Sequence, residues 1–187
     1  KMIVERERQI RAFIPEEYIE EGFVLDLRAL LASMLERNTH DAGRLVIFDQ
    51  DHTEMTYSAA LRFAKTFSHV AIVTPRERVA ADVLLLNRQS IYQQLHDARV
   101  EIFTDVEPRD LDRLDEGILE VVNVYNGEIT EIKDIAGITY ATPRIPNDQM
   151  RPALEAAGKQ VVPIGDCYSP RSLLAATRQG YQVGVDI

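Results

Sequence analysis

At 187 residues, with 45% hydrophobic and 27% charged positions, the chain has the size and composition of an ordinary globular domain, which excludes disordered and fibrous classes. A net charge of −9 without a clustered excess of Lys and Arg excludes a nucleic-acid surface. No apolar run approaches a bilayer span and no signal peptide precedes the first charges, so no membrane partner and a cytoplasmic location are expected.

The chain opens "KMIVERERQIRAFIPEEYIEEGF", which does not read as the first strand of a self-contained fold. Residues 1–40 are expected to be an N-terminal helical segment or the remnant of an adjoining domain, in a chain that begins inside a longer protein. The basic cluster Arg6 to Arg11, broken by Glu7, reads as a solvated helix face. Behind Asp26, an N-cap residue, Leu27, Leu30, Leu31, Met34 and Leu35 recur at helical spacing and predict a helix over 27–37. "RLVIFD" is a short apolar run bounded by turn residues, as a fully buried strand requires.

Thr53 then caps an expected helix whose stripe is Ala59, Ala60, Phe63, Ala64 and Phe67, and "HVAIVT", 69–74, is a second buried strand ended by Pro75. Strand, helix and strand within thirty residues form a βαβ unit, whose crossover makes the strands parallel. A helix over 79–98 and a third strand, "RVEIFTDV", continue the pattern. The acidic residues Asp105, Glu107, Asp110, Asp112, Asp115 and Glu116 read as a solvated loop, and Tyr57, Tyr92 and Phe103 as core.

"ILEVVNVYNGEITEIKDI" alternates on both sides of Asn126-Gly127, the strongest short hairpin signal. A strand "GITYAT", a helix over 148–157, a strand "QVVPIGD" and a helix from Pro170 complete the reading. The fold class is therefore α/β, a three-layer Rossmann-like parallel sheet with an antiparallel β-hairpin extension.

The single cysteine, Cys167, excludes internal disulfides and cannot alone hold zinc or an iron–sulfur cluster. It reads as a packing residue. His40, His52, His69 and His96 lack the i, i+4 spacing of paired metal ligands, so no metal is expected.

Two readings compete for Asp49-Gln50-Asp51-His52-Thr53. Its D-x-D-x-T spelling is similar to that of magnesium-dependent haloacid-dehalogenase-type phosphatases, with Asp49 as nucleophile, Asp51 as acid, both helping to hold the metal, and Thr74 and Gly165-Asp166 as later motifs. Against it, Ser169 and Pro170 stand where a second late acid is needed, and a helical stripe begins at once after Thr53.

The other reading is a strand and turn of a dinucleotide-binding domain without its glycines. "KQVVPIGDCYSPRSLLAATRQGYQVG" and "AGITYATPRIPND" follow in the order expected. Over residues 40–187 the chain resembles the C-terminal nucleotide-binding region of the NADH:flavin oxidoreductase family, of the 2,4-dienoyl-CoA reductase and trimethylamine dehydrogenase type. The resemblance implies a degenerate NAD(P)-binding-like Rossmann domain over 41–145 and a returning segment of an FAD/ADP-binding-type domain over 146–187.

It further implies an FAD or ADP site at Gly165, Asp166, Ser169, Arg171 and Ser172, where Asp166 either meets a ribose or ribityl hydroxyl or simply caps the last helix. Arg76 and Arg78 stand where a vestigial NADP 2′-phosphate clamp would be. NAD(P) binding is disfavoured, because three carboxylates replace the glycines and would repel phosphates. The family's FMN and four-iron cluster belong to parts of the parent enzyme outside this chain, which has no catalytic residue of its own by this reading. The expected partners are the remaining domains of that flavoenzyme, with a homo-oligomer of the parent also open, and a non-enzymatic interaction domain is the third alternative.

Overall fold

The computed structural model describes residues 24–35, 41–144 and 146–186. The basic cluster at 6–11, most of the 1–40 segment and the expected helix end at 36–37 lie outside the described residues. The chain divides into two compact units after Pro143.

In the first unit, β1 (Val24–Asp26), α1 (Leu27–Leu35), β2 (Asp41–Asp49), α2 (Glu54–Phe63), β3 (Phe67–Val73), α3 (Leu85–Asp97) and β4 (Glu101–Phe103) come first. β5 (Val106–Asp110), a 3-10 turn at Leu114–Glu116, β6 (Leu119–Asn123), β7 (Ile129–Ile132) and β8 (Ile135–Ala141) follow. β1, β8, β2, β3 and β4 pair in that order as a parallel sheet. β5, β6 and β7 form a separate antiparallel sheet.

The inner stretches of the central strands, residues 45–48 of β2 and 70–73 of β3, are apolar because both faces are covered. Leu45, Ile47, Val70 and Ile72 pack with Tyr57, Ala60 and Phe63 of α2 and with Leu95 of α3. The alternate residues Val46, Phe48, Ala71 and Val73 pack with Leu119, Val121 and Ile132 of the antiparallel sheet. Successive side chains of a strand point to opposite faces, so each strand serves both cores. Helices, parallel sheet and antiparallel sheet are the three layers.

Several element boundaries differ from expectation, each for a local reason. The helix expected from residue 79 begins at Leu85, because Ala80 has φ +53 and Val79 and Ala80 are fully buried in an irregular loop against the core. The helix expected to reach Ser68 ends at Phe63, and Phe67 opens β3 instead. "RVEIFTDV" is split by Asp105, whose φ of +60 turns the chain out of the parallel sheet and into β5. β5 enlarges the hairpin to three strands; its Pro108 is tolerated because β5 is an edge strand. The acidic stretch is thus strand and 3-10 turn rather than loop, anchored by buried Leu111 and Leu114. β1, too short for a periodic signal, was not foreseen.

Asp26 caps α1 as expected, its Oδ1 accepting the N–H groups of Arg28 at 2.8 Å and Ala29 at 3.2 Å. At the start of β2, Gly43 has φ +117, and a Cβ there would stand 2.7 Å from the Cβ of Ala136, so only glycine fits.

The second unit contains α4 (Arg151–Ala156), a 3-10 turn at Gly165–Cys167 and α5 (Leu173–Asp186). The strand expected over 160–166 is absent: among the unit's described residues no segment forms a ladder with it. α5 starts three residues later than expected, with the Ser172 hydroxyl oxygen accepting the Ala175 N–H at 3.2 Å. None of the unit's described residues is buried. Among the described residues no helix is long and apolar enough to cross a membrane.

Candidate functional site

In an open parallel α/β sheet, ligands bind outside the carboxyl ends of the strands, where neighbouring strands feed connections that diverge. Here that point lies between β2 and β8: β2 continues outward to β3 and β4, whereas β8 returns on its other side. The Gln50 N–H bonds the Ala141 carbonyl at 2.9 Å and ties the two strand ends together. The turn between β2 and α2, residues 49–53, stands where a glycine-rich loop would receive a pyrophosphate.

The turn is filled from within. Asp49 is fully buried. Its Oδ1 accepts the N–H groups of Asp51 at 3.1 Å and His52 at 2.9 Å, and its Oδ2 accepts the Tyr57 hydroxyl at 2.6 Å. The Tyr57 oxygen in turn accepts the Ala80 N–H, which fastens the loop before α3 to the same carboxylate. His52 has φ +55, a left-handed conformation that a glycine would hold without cost, and its Nδ1 stands 3.5 Å from Asp49 Oδ2 without a hydrogen bond.

Asp51, 6% exposed, faces the other way and accepts the hydroxyls of Thr53 and, at 3.4 Å, of Thr56. Thr53 stands at the N-cap position of α2, but its hydroxyl is spent on Asp51 and not on the helix.

Burial dominates the electrostatics. It pushes the Asp49 carboxyl above the usual carboxylate range, against the opposing pull of His52 and the Tyr57 hydrogen bond. It holds the His52 imidazole below its ordinary value, with Asp49 opposing. It drives the Tyr57 hydroxyl well above the usual phenol range, with Asp49 adding to the shift.

This arrangement does not suit a phosphatase. A nucleophilic carboxylate must present an oxygen to phosphorus, and both oxygens of Asp49 are engaged beneath the surface. Among the described residues no three His, Cys, Asp or Glu side chains gather as a metal site. Nor do the residues fit a pyrophosphate, because the donors that would bind one already bind a carboxylate.

Beside the turn, Asp26, Leu27, Arg28, Met55, Tyr140, Ala141 and Thr142 line a cavity of about 220 Å³. That is below the roughly 300–1,000 Å³ of ordinary small-molecule sites.

Arg76 and Arg78 are about half exposed. Each has an acid of its own loop beside it: Asp82 is 3.6 Å from Arg76, and Glu77 pairs with Arg78. In the second unit, Gly165, Asp166, Ser169, Arg171 and Ser172 lie on one short stretch before α5. Gly165 has φ +60 and donates its N–H to Gln179 Oε1 at 2.8 Å, while Ser169 N–H returns to the Gly165 carbonyl at 2.9 Å. Asp166 does not cap α5; it is mostly exposed and pairs with Arg144 at 3.8 Å. Cys167, expected to pack, is exposed.

Sequence reasoning missed Tyr57 as a polar partner and the Ala80 contact. Tyr57 read as one more residue of an apolar stripe, and its position eight residues after Asp49 gives no periodic signal. The repeated acids of "DQDHTE" were the available sign that side chains fill this turn.

No protein-family model matches the sequence, and no curated protein matches it. Among solved structures the fold recurs in histamine dehydrogenase from Rhizobium sp. 4-9, 24% identical with a TM-score of 0.72, covering 88% of this chain and 24% of that one. It recurs in the 6-hydroxypseudooxynicotine amine oxidase of Pseudomonas geniculata N1, 20% identical with a TM-score of 0.72, covering 87% and 24%. It recurs again in a 2-naphthoyl-CoA reductase, 19% identical with a TM-score of 0.65, covering 91% and 24%. Fold and site together define a Rossmann-like α/β protein in which the turn after β2 is filled by its own Asp49 side chain. The chain spans about a quarter of the length of each of these solved structures, and at these identities the likeness is one of fold.

Proposed function

We propose that this chain is the C-terminal, dinucleotide-binding-like part of a larger flavin-dependent oxidoreductase of the amine dehydrogenase/demethylase or enoate/dienoyl reductase type, and that its first unit has a structural role. Residues 41–145 act as a degenerate NAD(P)-type domain, residues 146–187 as a returning segment of an FAD/ADP-type domain, and residues 1–40 as an adjoining remnant of the latter. The observation that carries the structural role is Asp49: a Rossmann-like domain whose phosphate donors are satisfied by its own carboxylate has no place there for NAD(P). The shared fold with a dehydrogenase, an amine oxidase and a CoA reductase supports the parentage.

Adenine-nucleotide binding falls to the second unit. A carboxylate at Asp166, an arginine at Arg171 and hydroxyls at Ser169 and Ser172 before a 14-residue helix are the groups that suit a ribose and a phosphate. FMN, the iron–sulfur cluster and the catalytic groups reside in the remaining domains, which are this chain's partners.

The test is the mass and visible spectrum of the protein purified from its natural source. A polypeptide several times longer with flavin absorption is expected. A colourless protein of 187 residues would overturn the parentage. Titration of that protein with ADP, FAD and NADPH separates the roles: ADP or FAD should bind through the segment at 165–172, and NADPH should not bind at the turn after β2.

A further inference from the structure

The tip of the hairpin between β6 and β7 places an exposed asparagine directly before an exposed glycine, Asn126-Gly127. The backbone nitrogen that follows an asparagine stands within ring-closing reach of the side-chain carbon Cγ, and a side chain on that next residue obstructs the approach. Gly127 has none, its φ is +74, and the space around its Cα is open, with nothing within 4 Å of where a Cβ would stand.

The turn also polarises the carbon that would be attacked. Asn126 Oδ1 accepts the Glu128 N–H at 2.9 Å, an oriented donor on the oxygen that gains negative charge as such a ring closes. Nδ2, the nitrogen that would depart, stands at the surface, 3.5 Å from Glu128 Oε2. The contact that opposes attack is the Gly127 N–H donating to the Asn123 carbonyl at 2.9 Å. In an exposed hairpin tip such a bond opens at little cost.

Two other asparagines of the same unit are held differently. Asn87 lies within α3, where the Arg88 N–H donates to the Leu84 carbonyl at 2.9 Å and Asn87 Nδ2 donates to Glu54 Oε1 at 2.8 Å. Asn123 is half-buried and precedes the β-branched Val124, whose N–H donates to the Asp105 carbonyl at 2.9 Å.

We infer that Asn126 is a site of spontaneous covalent modification, a succinimide-forming asparagine that converts with time to aspartate and isoaspartate. The Gly127 nitrogen bonds to Asn126 Cγ, the Cγ–Nδ2 bond breaks, and the proton lost from Gly127 leaves with Nδ2 as ammonia. Water then opens the ring at Cγ to give aspartate, or at the main-chain carbonyl carbon of Asn126 to give isoaspartate, and nothing is oxidised or reduced. Either product places a new negative charge near Glu128 in a chain whose net charge is already −9. Isoaspartate also adds a methylene to the main chain beside Val122 and Ile129, the last cross-strand pair before the turn. None of this depends on the parentage proposed above.

The experiment incubates the folded protein at neutral pH and physiological temperature and follows Asn87, Asn123 and Asn126 by peptide mass spectrometry. Isoaspartate is read by labelling with an isoaspartyl-specific carboxyl methyltransferase, and a synthetic peptide of residues 122–130 serves as the unfolded reference. Conversion at Asn126 is expected within about tenfold of the peptide's rate and at least about tenfold faster than at Asn87 or Asn123, as an unobstructed approach and an oriented donor allow. Gly127→Ala keeps the asparagine but shields the attacking nitrogen, and should slow conversion about tenfold.

An Asn126 that stays intact in the folded protein while the peptide converts would overturn the inference. So would equal rates at Asn126 and Asn87, or a Gly127→Ala variant that converts as fast as the wild type.

Discussion

The Tyr57 hydroxyl donates to Asp49 at 2.6 Å and accepts from the Ala80 N–H, so one phenol oxygen joins the turn after β2 to the loop before α3. Both groups are fully buried. Tyr57→Phe removes a donor from a buried carboxylate and an acceptor from a buried amide at once. Leaving such groups unsatisfied costs about 1–3 kcal/mol. The loss is expected in urea unfolding as a lower midpoint with unchanged slope.

The histidine of the same turn makes stability depend on pH. Burial lowers the folded-state pKa of His52 below its ordinary 6.5, so the folded protein prefers the neutral ring. Its contribution is complete above pH 6.5 and is lost as pH falls below that value toward the depressed pKa, at up to about 1.4 kcal/mol per pH unit.

Asp49 works with the opposite sign. Its raised pKa makes the folded state disfavour the charged form, so stability declines as pH rises above 3.8 through the shifted value. The difference between the wild type and His52→Asn, which tolerates φ +55, isolates the histidine. That difference should shrink or reverse on acidification below pH 6.5. A pH-independent difference would show that His52 does not titrate between the two states.

Glycines 43 and 127 both have positive φ but differ in their surroundings. An added Cβ at Gly127, in the hairpin loop, meets nothing within 4 Å, whereas one at Gly43 meets Ala136 Cβ at 2.7 Å. Gly127→Ala should lose about 1 kcal/mol through backbone strain alone. Gly43→Ala should lose more, about 2–3 kcal/mol, because β2 must also shift against the chain entering β8. Thermal unfolding of the two variants side by side gives the ordering.

Thr139, fully buried on β8, donates its hydroxyl to the Leu25 carbonyl at 2.8 Å and so helps hold the three-residue edge strand β1. Thr139→Val keeps the shape and removes the bond, at about 1 kcal/mol. Hydrogen exchange should accelerate at residues 24–26 and remain unchanged in β2 and β3.

Much of the first unit was legible because its parallel strands are buried on both faces, and "RLVIFD" and "HVAIVT" can hardly be anything else. The hairpin was legible from Asn126-Gly127. What escaped was set by single backbone angles: Ala80 and Asp105 adopt left-handed conformations that their side chains do not announce, and these moved the start of α3 and created β5. "QVVPIGD" carries a strand's composition, but a strand exists only with a partner, and the described residues of its own unit supply none. At the site, the loss of glycine at 49–54 was legible, while the partners that replaced glycine's function were not. Tyr57 lies eight residues along from Asp49 and Ala80 thirty-one, and only folding brings them together.

The strand order β1-β8-β2 also governs how the protein is made. β1 and β2 leave the ribosome before β8, yet they do not pair with each other; the strand that separates them is translated after the whole antiparallel sheet. Until then β1 and β2 both lack the strand that they share as a partner. Contacts of such sequence separation slow folding and prolong exposure of aggregation-prone edges. The nascent chain is therefore most vulnerable during synthesis of residues 106–135, and its productive yield should be more sensitive than its final stability to chaperone supply.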